Sequence, residues 1–201
     1  MPVHTAKGLF DKNIRSAETC LGVYDGLAKL DTTLNPKWML RAAIVFAVSA
    51  LDTYFHDKIK YRVGSFKLGN LPKQLGNLEI RVSELQNWQK AKRKGNVLRE
   101  WVTEYLAVQT LQSPQAIAEA LKLVNINDFW ATAEPDQTKC NLLKSVLNSL
   151  IKRRNQIAHE GDRQHSRKSG KRLRSIDRRM VTGWVAFVKH LIEKVEDKFP
   201  N

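Results

Sequence analysis

The chain has 201 residues, enough to bury a sizeable hydrophobic interior as a single domain with or without an insertion. Its two cysteines, Cys20 and Cys140, lie in no CxxC spacing and no Cys/His cluster, which excludes a disulfide framework and a structural zinc site and fits a reducing cytoplasm. A formal net charge of +14 calls for a polyanionic partner, or at least for strong non-specific affinity toward one.

No signal-peptide-like run is read in the first twenty residues. The most apolar window, Met39 to Leu51, is too short to span a bilayer. A soluble, unexported protein with no membrane partner is the expectation.

Apolar residues at Leu9, Phe10, Ile14, Ala17, Leu21, Val23, Leu27 and Leu30 follow a helical period and predict a first helix, broken at Asp31-Thr32-Thr33. Asn35-Pro36 is an N-cap and first-turn pair opening a second helix through Trp38, Leu40, Ile44, Phe46, Val48, Leu51, Phe55 and Ile59. That helix is apolar over most of its circumference, so it is expected at the centre. Gly64, Gly69, Pro72 and Gly76 mark a loop leaving the core, and Leu78 to Leu85 is compatible with a short strand or a helix. A basic turn follows at Lys90 to Gly95, then a helix over Val97 to Leu111 and a short one capped by Ser113-Pro114 and running to Leu123. Residues 64–135 thus read as an insertion of small helices. Its Trp88 and Trp101 fall at helical spacing and are core residues before they are base-stacking platforms.

Pro135-Asp136 introduces a third long helix, expected to bury Leu142, Leu143, Val146, Leu147, Leu150 and Ile151 and to stop at Gly161. A basic loop over 163–174 precedes a final helix capped by Ser175 and bearing Met180, Val181, Trp184, Val185, Val188, Leu191, Ile192 and Val195. The sum is an all-α, four-helix bundle with a helical insertion between its second and third long helices, in one domain spanning 1–201. Neither a P-loop, a Gly-rich nucleotide fingerprint, GxSxG nor a repeat is present.

The polar cluster Arg154-Asn155-Gln156-Ile157-Ala158-His159-Glu160 closes the third long helix. Cleaving RNA without a metal needs a proton carrier for the 2′-hydroxyl and the 5′-oxygen, and a cation for the charge on phosphorus. His159 suits the first role as base or acid, Arg154 the second, and Asn155 can orient either. Between Lys152 and Arg179 eleven Lys/Arg face three acidic residues, more than half of the net excess. Lys152, Arg153, Arg163, Arg167, Lys168, Lys171, Arg172 and Arg174 are the candidate phosphate contacts. Glu160 and Asp162 can pair with either Arg154 or His159. Asp52 and His56, four apart, suit polar support of the cluster; their alternatives are ordinary helix-face pairing and, with no further ligand cluster in sight, a divalent metal. Five residues on a straight helix advance about 500°, leaving Arg154 and His159 about 140° apart, so convergence needs a loosened helix end or a second copy across a two-fold axis. The plainer reading of both residues is a solvated helix end whose cations suit the macrodipole.

Arg154-Asn155-x-x-x-His159 resembles the R-x4-6-H signature of the HEPN superfamily, in the form where Asn follows Arg. Arg41 to Asp57, an alanine-rich helix ending in Leu51-Asp52-Thr53-Tyr54-Phe55-His56, is similar to the RiboL-PSP branch. The resemblance covers the second helix and the third through fourth, and leaves 71–135 unaccounted for. It implies a helical bundle, frequent homodimers with a composite active site, and metal-independent endoribonuclease activity without a cofactor. The setting it implies is toxin-antitoxin, phage-defence or RNA-processing, with an antitoxin or a nucleotidyltransferase as partner. The alternative it leaves open is a noncatalytic module that binds RNA or regulates a partner.

Overall fold

The computed structural model describes residues 5–30, 33–79, 82–164 and 172–200. Asp31 and Thr32 of the expected break, Ile80 and Arg81 of the undecided segment, and Arg167, Lys168 and Lys171 of the basic loop lie outside them. The long helices are α1 (Ala6–Leu27), α2 (Lys37–Val63), α8 (Gln137–Glu160) and α9 (Arg178–Lys198); five shorter ones lie between the second and third of these, α3 (Lys73–Gly76), α4 (Val82–Lys90), α5 (Lys94–Ala107), α6 (Pro114–Leu121) and α7 (Phe129–Ala133). The fold is all-α, and among the described residues no strand forms beyond an isolated antiparallel bridge between Arg163 and Leu173.

Local chemistry accounts for most helix starts. Side-chain oxygens of Thr5, Ser113 and Asp136 accept from Gly8, Ala116 and Lys139 N–H and cap α1, α6 and α8. Asn35 Oδ1 accepts from Lys37 N–H at 3.1 Å, although the cap position itself falls on Pro36. The last helix starts later than expected: Asp177, not Ser175, accepts from Met180 N–H at 2.8 Å. An ionised carboxylate is the stronger acceptor for an N-terminal amide.

Helix α2 packs against α1, α5, α8 and α9. Ala43, Ala47 and Ala50 are buried along it and let neighbouring backbones approach closely. By length and composition α2 could cross a membrane, being 27 residues long, well beyond the apolar window read from the sequence. Just over half of its most apolar stretch is buried inside the bundle.

Cross-links give the directions of the helices. Arg178 at the start of α9 pairs with Asp25 near the end of α1, while Glu196 near the end of α9 meets Tyr54 and Lys58 in the second half of α2. Arg41 in the first turns of α2 meets Asp162, just past the end of α8. The four long helices therefore alternate in direction, and the start of α2 lies at the same end of the bundle as the end of α8. Several apolar positions of the expected helices face solvent: Val23, Leu30, Trp38 and Phe46 are exposed, and Leu142 is 62% exposed because α8 buries Cys140, Leu147 and Leu150 and turns the flank carrying Leu142 outward.

Candidate functional site

Helix α8 ends in a wide turn. The Gln156 carbonyl accepts from both Gly161 N–H and Asp162 N–H, and both of those residues sit in the left-handed region at φ 58°. Glycine meets that geometry without strain, and aspartate is among the few other residues that tolerate it. The turn drives the Asp162 side chain inward, where it is fully buried.

Two arginines meet it there. Arg41 Nε donates to Asp162 Oδ2 at 2.6 Å, and Arg153 reaches both carboxylate oxygens at 2.8 and 3.0 Å. Further donors go to backbone: Arg41 Nη2 to the Arg174 carbonyl at 3.0 Å, Arg41 Nη1 to the Lys37 carbonyl at 3.2 Å, and Arg153 Nη2 to the Ser175 carbonyl at 2.9 Å, while Arg153 Nε is buried without an acceptor. Trp38 carries the Arg41 guanidinium at 5.0 Å from its ring centroid. Burial pulls the Arg153 pKa below the usual guanidinium value; Asp162 opposes that shift, while Arg41 and Arg174 add to it. The Arg174 N–H donates to the Asp162 carbonyl and Gln164 N–H to the Arg172 carbonyl, both at 2.8 Å. One buried carboxylate thus joins α2, α8 and both stems of the basic loop.

This lock corrects several expectations. Arg153 is buried and bound to Asp162, so it is not placed to touch RNA. Asp162 serves Arg41 and Arg153 and does not pair with Arg154 or His159. Glu160 forms an ion pair with Arg174 at 3.0 Å, which draws Arg174 into the loop stem as well. Asp52 and His56 are too far along α2 to support the cluster: at 1.5 Å per residue they lie about 16 and 22 Å beyond Arg41. Asp52 instead accepts from Leu111 N–H, fastening the approach to α6, with His56 Nε2 at 3.8 Å from the same oxygen.

The remaining candidates lie differently. Lys152, Asn155 and His159 are exposed, and on ideal helical spacing they fall within about 60° of one another, on one face of α8. Arg154 is partly buried at the edge of the packed face. Among the described residues no partner holds the side chain of Arg154, Asn155 or His159. Arg163 and Arg172 are exposed at the base of the loop, within reach of the same helix end. The left-handed residues of the wide turn, Gly161 and Asp162, lie beyond His159, and the helix remains intact through Glu160, so Arg154 and His159 keep their divergence.

The sequence reading missed the role of Arg41. Its signal was a single cation inside Leu40 to Val48, an otherwise apolar run, where a buried charge requires a buried partner.

A family model described as RiboL-PSP-HEPN matches residues 14–201. Neither the curated proteins nor the solved structures include a match to the chain.

Proposed function

Since the chain belongs to the RiboL-PSP-HEPN family, with a model that spans residues 14–201, we propose that it is a metal-independent endoribonuclease acting on single-stranded or loop RNA. The observation that carries this reading is selective pairing at the end of α8. Arg153, Glu160 and Asp162 are taken up by the lock, while Arg154, Asn155 and His159, interleaved with them, keep their polar groups without a partner among the described residues. Groups left unpaired beside so firmly braced a helix end are suited to a ligand.

In this mechanism the ribose 2′-oxygen loses its proton and attacks phosphorus, the bond to the 5′-oxygen breaks, and that oxygen leaves protonated. The products are a 2′,3′-cyclic phosphate and a 5′-hydroxyl. His159 handles a proton at one of the two oxygens, and Arg154 holds the nonbridging oxygens as their charge grows. Asn155 orients the phosphate, and Lys152, Arg163 and Arg172 hold the flanking backbone without reading bases. Because Arg154 and His159 diverge on one helix, the competent unit is a homodimer whose cleft takes them from different protomers. Exposed Leu30, Leu34 and Trp38 at the same end of the bundle supply apolar surface for that contact. An antitoxin or a nucleotidyltransferase would act by covering this end.

The purified chain is expected to cut RNA in EDTA and to leave 5′-hydroxyl ends, and His159→Ala, still folded, to lose about 10²-fold or more in rate. Equal cleavage by the two proteins would remove His159 from the chemistry. The same divergence of Arg154 and His159 favours a second reading, a noncatalytic RNA-binding module, which predicts salt-dependent binding with no new 5′-hydroxyl ends.

A further inference from the structure

At the opposite end of α2, about 35 Å from Arg41 along the helix axis, lies a separate, partly open cavity of about 500 Å³. That volume lies within the roughly 300–1,000 Å³ of small-molecule pockets. Its floor is a crossing of two glycines. A Cβ on Gly95 would sit 2.4 Å from the Gly64 carbonyl oxygen, so the first turn of α5 can lie directly against the end of α2 only with glycine there.

The lining has a definite chemistry. Lys67 and Lys94 contribute two ammonium groups, and none of the lining residues carries a carboxylate. Phe66, Trp88 and Leu98 form apolar walls. The Lys94 ammonium stands 4.6 Å from the Trp88 ring centroid. Trp88 is only 8% exposed, yet its buried indole Nε1 finds no acceptor. Helix α5 opens on Arg93 without a side-chain cap, and its first two residues, Lys94 and Gly95, line the same space.

We propose that this cavity is a nucleotide-binding site, remote from the Arg154 end. The phosphate lies between Lys67, Lys94 and the first turn of α5, and the base lies along Phe66 and Leu98. An inorganic anion would leave the apolar walls unused, and a neutral aromatic compound would leave both ammonium groups without a counter-charge. A nucleotide joins an anion and flat apolar faces in one molecule. Free mononucleotide and one nucleotide of an RNA strand are the two sources of that chemistry.

The test uses the full-length chain carrying His159→Ala in EDTA, so that cleavage cannot consume a probe and the outcome is independent of the ribonuclease reading. AMP and a twelve-residue oligoadenylate are each titrated by calorimetry into this protein and into the same protein carrying Lys67→Glu and Lys94→Glu. A milder pair, Lys67→Ala and Lys94→Ala, serves if charge reversal lowers helicity by circular dichroism. A loss of about tenfold or more for AMP assigns the site to free nucleotide, and the same loss confined to the oligonucleotide assigns it to a strand. Affinities for both probes unchanged by the substitutions, or no binding of either probe by the parent protein, would overturn the proposal.

Discussion

Arg153 and Arg154 are consecutive, chemically identical and opposite in fate. One helical step of about 100° takes the first into the lock with Asp162 and leaves the second at the edge of the packed face. In sequence both were equally good phosphate contacts, because which of two adjacent arginines is buried depends on the phase of α8 against α2. That Arg154 and His159 lie at the end of a long helix was legible in the sequence, whereas the Arg41–Asp162 contact, 121 positions apart, was not. The lock makes a residue-scale prediction. Asp162→Ala leaves Arg41 and Arg153 buried without their carboxylate and should cost on the order of 3–5 kcal/mol in urea unfolding. Arg153→Ala should also destabilise, since Asp162 then loses one of its two cations, whereas Lys152→Ala, one position away and exposed, should stay within about 0.5 kcal/mol. An Asp162→Ala protein with an unchanged urea midpoint would mean that the lock contributes nothing to stability.

Between elements, the contact of α2 with α9 is built around another buried ion. Lys58 is fully buried, with Nζ 2.9 Å from Glu196 Oε1, and the Tyr54 hydroxyl donates to the same oxygen. Around them Phe10, Tyr54, Phe55, Phe129 and Trp130 run edge to face at centroid distances of 4.8–5.9 Å, linking α1, α2 and α7. Periodicity identified α1, α2 and α9 well, since apolar spacing is a local property, but it did not pick out the short α7. It did not foresee that Tyr54 and Lys58 share one acceptor on α9, because that depends on how two distant helices register. Burial, and then the Glu196 bond, raise the Tyr54 pKa well above its ordinary value near 10. The unfolded chain therefore releases the phenol proton above about pH 10 while the folded chain keeps it, and stability is lost as pH rises through that range. Burial depresses the Lys58 pKa, which makes stability rise with pH up to about 10.4, the unfolded lysine value, and adds no slope beyond it. Above that point Tyr54 should supply a fall of about 1.4 kcal/mol per pH unit. Tyr54→Phe should remove this part of the fall, as read from urea midpoints between pH 10 and 11.5; identical pH profiles for the two proteins would show that Tyr54 titrates alike in both states.

For the whole molecule, the alternating directions of the four long helices place the two proposed sites at opposite ends of α2. The insertion that builds the nucleotide cavity is remote from the helix end proposed to cut RNA. Geometry at that helix end also constrains assembly. With Arg154 and His159 about 140° apart on an intact helix, a composite cleft requires the Arg154 of one protomer to work with the His159 of its partner. An Arg154→Ala homodimer and a His159→Ala homodimer should then both be inactive. In a heterodimer of the two, one cleft lacks both groups, but the other keeps the arginine of the His159→Ala chain and the histidine of the Arg154→Ala chain. Co-expression with two affinity tags isolates that species, and it should recover about half of the parent activity in EDTA, one intact cleft of two. If each cleft instead drew both groups from one chain, every site in the heterodimer would lack one of them, and a pure heterodimer as inactive as its parents would rule out the composite arrangement. Half-activity would also explain why a helix end so firmly braced by Asp162 keeps its arginine and histidine on different sides: bracing holds each at a fixed angle for the partner to meet.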